Sequence, residues 1–172
     1  KRKGLLPHPL QVAVDEIIRR QILENLNKAT DVVFTHFHGD HIPLARANPY
    51  QLNLASVRES LKHTTVWAKN NIQDSHKYQE RAHDLKNTAE NYSRAEGKTA
   101  GEISFSRAVP HGEEESPLGK VMMVKIEVEN IKFLHASDIQ FFYRNTVLKI
   151  IEMAPDIVLA SGPPIYLNKK KK

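Results

Sequence analysis

The sequence predicts a mixed α/β domain, on three observations. Stretches with helical spacing alternate with short β-branched and aromatic stretches along the 172 residues. Four segments that carry a histidine, an aspartate or a proline corner directly follow predicted strands. Functional groups of α/β proteins gather at the carboxyl ends of strands, so this placement favours the same class. The pattern permits several α/β architectures and selects none of them.

Composition fits one domain with a core, because 40% of the residues are hydrophobic. No stretch is long enough to span a membrane and no signal pattern is visible, so we expect no membrane partner and a cytoplasmic location. The absence of cysteine excludes disulfides and cysteine-based metal sites. Seven of the 25 basic residues lie in Lys1-Arg2-Lys3 and Lys169–Lys172, so the net charge of +5 indicates a polyanionic partner only weakly.

Four elements are predicted in the first half of the chain. Apolar residues with helical spacing follow Pro7-His8-Pro9. The highly polar stretch over Asp74–Tyr92 has apolar or small residues only along one thin stripe, as an exposed helix does. The predicted elements are a helix over Leu10–Leu26, a buried strand beginning at Asp31, a strand over Thr64–Trp67 and an exposed helix over Asp74–Tyr92.

The second half is predicted to be richer in strands. Alternating apolar and polar residues indicate strands, and Glu129-Asn130 is placed as a hairpin turn. The predicted elements are a strand over Glu102–Val109, a hairpin of Val121–Glu129 and Ile131–His135, a helix over Asn145–Met153 and a strand over Asp156–Ala160.

The stretch Thr35-His36-Phe37-His38-Gly39-Asp40-His41 predicts a metal site. It directly follows the strand that begins at Asp31, and imidazole and carboxylate groups are ligands that zinc accepts. His36 and His38 are two residues apart and can face one ion, while Gly39 permits a turn that presents Asp40 and His41 to a neighbouring position. The alternative is a histidine-rich solvated turn. An HxHxDH pattern is expected by chance in roughly one such chain in a thousand.

His111 and Asp138 are further candidates, because each follows a predicted strand. Pro110 and Gly112 would fix the direction of the His111 imidazole. The alternatives are a lone loop histidine and, for Asp138, a turn former or helix cap. Other titratable residues are predicted to lie outside the site: the surface histidines His76 and His83, the solvated Glu113, Glu114 and Glu115, and the core histidine His135.

These stretches resemble the metallo-β-lactamase superfamily. THFHGDH resembles its HxHxDH signature, Val109-Pro110-His111-Gly112 its downstream histidine, and Ser137-Asp138-Ile139-Gln140 its bridging aspartate. Together with Pro7-His8-Pro9-Leu10, the run Ser161-Gly162-Pro163-Pro164-Ile165-Tyr166-Leu167 is similar to an uncharacterised, largely archaeal branch of that superfamily. The resemblance spans about residues 4 to 167.

The resemblance implies an αββα sandwich, with a metallo-β-lactamase-like domain over residues 4–168 and disordered or fragmentary basic ends at 1–3 and 169–172. Members of the superfamily begin with β-hairpins ahead of the HxHxDH strand, and members of the branch continue past the GPPxYL stretch. We therefore expect flanking residues beyond both ends of this sequence.

The resemblance also implies a ligand set. His36, His38 and His111 would hold one ion, Asp40 and His41 a second, and Asp138 would bridge them. Zinc is expected, as one or two ions, with iron or manganese as alternatives. The superfamily usually supplies a final histidine to the second ion, and no histidine follows His135 here. Either that ligand lies in a flanking segment, or the second site is weaker or empty. If only the first ion binds, Asp40 is expected to act as general base.

The function expected from these residues is metal-dependent hydrolysis by a metal-bound hydroxide. A phosphoric ester, including a small-molecule or nucleic-acid phosphodiester, is placed slightly ahead of an acyl ester or thioester because of the positive charge. A metal-binding scaffold without turnover and a nucleic-acid binder remain open. A redox enzyme with iron is disfavoured, because no acidic ligand is inserted in His36-Phe37-His38-Gly39-Asp40-His41.

Overall fold

The computed structural model describes residues 6–71 and 74–164 of the chain. The basic ends and the Ile165-Tyr166-Leu167 part of the SGPPIYL stretch lie outside the described residues. Contacts divide the chain into two compact units, the first formed by residues up to 67 and 75–93, the second by residues 68–74 and those from 94 onward. The single domain over residues 4–168 stays a prediction.

The described residues of the first unit form three helices and a three-stranded sheet. Its helices are α1 (Pro9–Leu26), α2 (Leu54–Lys62) and α3 (His76–Thr88), and its strands are β1 (Asp31–Phe34), β2 (Thr65–Ala68) and β3 (Asn91–Arg94). The sheet order is β1-β2-β3, and the last residues of β2 and β3 belong to the second unit. The core of the first unit is built from apolar side chains of strands and helices, among them Phe34, Val57, Leu61, Val66 and Leu85.

The second unit contains seven strands and one helix among the described residues. They are β4 (Thr99–Ala100), β5 (Ile103–Phe105), β6 (Val109–Pro110), β7 (Lys120–Val121), β8 (Val124–Val128), β9 (Ile131–Ala136), α4 (Arg144–Glu152) and β10 (Ile157–Ala160). Five strands form a sheet in the order β10-β9-β8-β5-β4, and β6 pairs with β7. Within this sheet β10 runs parallel to β9, and the other neighbouring strands are antiparallel.

The mixed α/β class is confirmed, and most predicted elements are present. Helices α1 and α4 and strands β1, β2 and β10 lie within one or two residues of their predicted bounds. The hairpin turn is also where the sequence placed it, since Val128 pairs with Ile131. The two residues between them, Glu129 and Asn130, have φ values of 50° and 66°. Two successive positive values are those of a type I′ turn, which matches the twist of the strands.

One helix was not predicted, and three predicted elements were wrong in extent. Helix α2 is the missing one, although Asn53 caps it and Leu54, Val57 and Leu61 form its buried face. The helix predicted to reach Tyr92 ends at Thr88, because residues 91–94 pair as β3 instead.

Two predicted strands are each divided in the structure. The strand predicted over 102–109 is β5 and β6, and the strand predicted over 121–129 is β7 and β8, each pair with different partners. In these three cases sheet pairing overrides local spacing, which sequence periodicity does not record.

Candidate metal centre

Three histidines lie close together in the first unit, directly after β1. The chain leaves the strand at Phe34 and turns at residues 39–41, where the His41 amide donates to the His38 carbonyl at 3.1 Å. The ring of His36 lies 4.6 Å from that of His38 and 4.4 Å from that of His41, measured between centroids. A ligand atom of His36 is within 4.8 Å of one on each of the other two. This stretch therefore gathers imidazole nitrogens where one ion can reach more than one of them.

His36 is the most enclosed of the three, with 2% of its surface exposed. Its Nδ1 lies 3.1 Å from the hydroxyl of Thr35, which is itself buried. If Nδ1 donates its hydrogen to the hydroxyl, the tautomer is fixed and Nε2 carries the lone pair that can bind a metal ion. Such a partner is typical of a metal-binding histidine.

Asp40 occupies a different environment from the histidines. Its side chain is 82% exposed, and Oδ2 lies 3.7 Å from Nε2 of His41. The carboxylate is therefore open to solvent and to a substrate while it remains beside a candidate ligand. That position suits either a metal ligand or a proton acceptor.

Gly39 has a different role from the one the sequence suggested. It does not have a positive φ, so the turn does not depend on glycine's conformational freedom. A Cβ atom at this position would lie 2.9 Å from Gln51 Nε2, and 3.1 Å from both Arg81 Nη2 and Leu44 Cδ1. These atoms lie at the ends of side chains, so Gly39 marks a closely packed point in residues 35–41, which we call the ligand loop.

Helix α3 supports the ligand loop through two residues that the sequence analysis did not assign to the site. Arg81 donates from Nη1 to the carbonyl of Phe37 at 2.7 Å, between the two histidines of the HxH pair. The ring of Tyr78 lies 5.2 Å from that of His38, and the Arg81 guanidinium lies 5.7 Å from the Tyr78 ring centroid. The only sequence signal is their i, i+3 spacing on one helix, which places both on one face.

In the second unit, His111 and Asp138 lie together. Nε2 of His111 is 3.8 Å from Oδ2 of Asp138. His111 follows β6 and is 6% exposed, and Asp138 follows β9. The two residues are 27 positions apart in sequence, and the fold of the second unit brings them together. Asp138 has φ of 61°, and Gln140 and Phe141, two and three residues later, have similar values. Backbone strain of this kind clusters at binding sites.

Two side-chain contacts hold the loops that carry His111 and Asp138. Gly112 has φ of 90°, a conformation that favours glycine, and a Cβ atom there would lie 2.7 Å from Oε1 of the flexible Gln140 side chain. The Tyr143 hydroxyl donates to Glu114 Oε1 at 2.6 Å and accepts from Asn145 Nδ2 at 2.9 Å. The hydrogen bond to the Glu114 carboxylate raises the pKa of Tyr143 above its ordinary value.

The residues predicted to be solvated have the expected exposure: His76, His83, Glu113, Glu114 and Glu115 are exposed. His135, predicted to be a core histidine, is only partly buried on β9, opposite Val124 of β8. The described residues therefore offer histidine and aspartate groups that can hold a metal ion, at the positions that the sequence singled out.

Comparison with known proteins finds relatives in archaea. No family model matches the chain. The chain is 38% identical over 169 residues to a UPF0282 protein of Methanosarcina mazei. The matched region covers 97% of this chain and 55% of that protein. The chain is 36% identical to a UPF0282 protein of Thermococcus onnurineus and 34% identical to one of Pyrococcus furiosus, each over 99% of this chain and 60% and 58% of those proteins. The chain thus spans less than two thirds of the length of these relatives.

Comparison with solved structures confirms the fold class. The fold matches a crystal structure of a Thermotoga maritima protein that is provisionally named a metallo-β-lactamase. The match covers 88% of this chain and 75% of the Thermotoga maritima chain, with a TM-score of 0.50 and 14% sequence identity. Within the described residues, no helix has both the length and the apolar content to cross a membrane. The chain is similar in sequence to archaeal UPF0282 proteins and has an α/β fold like that of a metallo-β-lactamase.

Proposed function

We propose that this chain supplies the metal centre of a hydrolase. The ligands are His36, His38, Asp40, His41, His111 and Asp138, and the metal is zinc. The observation that carries the proposal is the convergence of His36, His38 and His41 directly after β1. Neutral imidazoles with a carboxylate beside them form a donor set that fits zinc, and the buried hydroxyl next to His36 fits the usual partner of such a ligand.

The residues divide by role in this proposal. His36, His38 and His111 would hold a first ion, Asp40 and His41 would hold a second, and Asp138 would be available to both. When bound, zinc polarises the scissile group and lowers the pKa of water to about 7. Arg81 keeps the backbone of the HxH pair in place through the Phe37 carbonyl, and Tyr143 keeps the loop after His111 in place through Glu114. With a single ion bound, the exposed Asp40 carboxylate accepts the proton of the attacking water.

Both ester classes remain candidates for the substrate. The preference for a phosphoric ester over an acyl ester or thioester depends on the net charge of +5, which includes seven terminal basic residues. The described residues carry 18 basic and 20 acidic side chains, so 18 − 20 gives a net charge of −2. This balance gives no support to a long polyanionic partner such as a nucleic acid.

The direct test is hydrolysis by the zinc-loaded full-length protein of bis(4-nitrophenyl) phosphate, 4-nitrophenyl acetate and a 4-nitrophenyl thioester. The proposal expects release of the chromophore from at least one ester, lost on chelation and restored by zinc. Binding of zinc without turnover of any ester would favour the metal-binding scaffold. Nucleic-acid binding that survives chelation and falls with salt would favour the nucleic-acid binder instead.

The contact between Thr35 and His36 gives a first prediction. Thr35→Val removes the hydroxyl partner of His36 Nδ1, and we expect zinc affinity to fall about 10- to 100-fold, as is usual when such a partner is lost. Thr35→Ser keeps the hydroxyl and is expected to stay close to the parent protein. Competition with a chromophoric chelator measures both. Equal affinities for the two variants would show that the hydroxyl does not orient His36.

A further inference from the structure

The first unit contains a pocket of about 470 Å³ whose apolar part has no role in the function proposed above. We call it the α1 pocket, because Ile18, Ile22 and Leu26 of α1 form one side of it. Phe34 of β1 and Val57 of α2 lie on other sides. Its volume is within the range of small-molecule sites, which are mostly apolar with a few polar groups.

One end of the α1 pocket reaches the ligand loop. Asp40 and His41 both line it, so a molecule in the pocket lies against two candidate metal ligands. The charged residues in the lining are Asp15, Arg19 and Asp40, which sum to −1, with His41 neutral. The pocket therefore does not favour an anionic group.

Arg19 holds the pocket wall and is not directed at a ligand. Its guanidinium pairs with Asp15 at 2.8 Å and donates to the carbonyls of Pro49 at 2.9 Å and Gln51 at 3.2 Å. Helix α1 has no fully buried residue, and Ile18 and Ile22 are 47% and 45% exposed. An apolar group in the pocket would cover surface that these side chains leave to water.

We propose that the α1 pocket receives the uncharged apolar group of an ester substrate, with the ester itself at Asp40 and His41. This proposal rests on the hydrolase function proposed above and names its substrate class. Water adds to the carbonyl carbon or the phosphorus of the ester, the bond to the leaving oxygen breaks, and that oxygen takes up a proton. The apolar group lies on the acyl or phosphoryl side and stays in the pocket while the alcohol leaves.

The test compares esters that differ only in chain length. The zinc-loaded full-length protein is assayed with 4-nitrophenyl acetate, butyrate and hexanoate, and with the methyl, butyl and hexyl esters of 4-nitrophenyl phosphate. We expect kcat/KM to rise about three- to fourfold per methylene in one series, the effect of burying a methylene. That series identifies the ester class. Equal values along both series would overturn the proposal.

A matched pair of variants assigns the effect to the pocket. Ile18→Trp fills the pocket and is expected to abolish the gain with chain length. Ile17→Trp makes the same change at the neighbouring position of α1, which does not line the pocket. It is expected to keep the gain. Both side chains are about half exposed, so neither change overfills the core. Equal chain-length dependence in the two variants would overturn the proposal.

Metal-free protein separates this proposal from the proposed hydrolysis. Titration with 1-hexanol, followed by methyl NMR, is expected to shift the methyl signals of Ile18, Ile22 and Val57 and to leave that of Ile17 in place. If no ester is hydrolysed but these signals shift, the hydrolase function fails and the apolar site stands. If the signals do not shift, the pocket proposal is overturned, whatever the esters show.

Discussion

Replacing His38 with alanine is expected to lower zinc affinity more than 100-fold. His38 is central to the ligand loop, because one of its ring nitrogens lies within 4.8 Å of a ligand atom of His36. Loss of a residue that only orients a ligand costs about 10- to 100-fold, and loss of a ligand should cost more. Isothermal titration with zinc, checked by competition with a chelator, measures the change.

The control for this variant is His76→Ala. His76 is exposed at the start of α3, so its removal takes away an imidazole without touching the ligand loop. We expect zinc affinity close to that of the parent protein. If His38→Ala and His76→Ala bind zinc equally well, the histidines after β1 do not form the metal site.

The second large effect is expected for Asp40→Asn with one zinc ion bound per chain, where it should lower kcat by about 10²- to 10⁴-fold, the usual contribution of a general base. The change keeps the shape of the side chain and removes its capacity to accept a proton. Because the side chain is 82% exposed, we expect the free energy of unfolding to change little. Initial rates with the best ester of the assay above measure kcat.

Glu115→Gln is the matched control for Asp40→Asn. It also converts an exposed carboxylate to an amide, in the loop that follows His111. We expect its kcat to equal that of the parent protein. A kcat for Asp40→Asn within about threefold of the parent value, a change of well under 1 kcal/mol in barrier, would remove Asp40 from the chemistry.

Much of the fold was predictable because local patterns carried it. The alternation of apolar residues around Glu129-Asn130 fixed a hairpin, and the β-branched run after Asp31 fixed the strand that leads to the histidines. The sequence of helix α2 does contain a helix signal, which is an asparagine cap followed by apolar residues at helical spacing. The residues of β3 carried none, because their state is set by pairing with β2.

The candidate site was predictable to the extent that its candidate ligands are close together in sequence. His36, His38 and His41 are brought together by one strand and one turn, so their spacing was sufficient. The contact of Arg81 with the Phe37 carbonyl joins residues 44 apart, and no periodicity records it. His111 and Asp138 were paired only through the resemblance to metallo-β-lactamases. The close packing at Gly39 likewise depends on side chains of distant elements.

The metal content of the purified full-length protein tests the central claim most directly. Elemental analysis is expected to give one or two zinc ions per chain, with a clear loss in both His38→Ala and His111→Ala and none in His76→Ala. Both histidines are proposed ligands, so a loss in only one of the two variants would remove the other histidine from the proposed set. A protein that contains no metal, and takes up none when incubated with zinc, iron or manganese, would contradict the account.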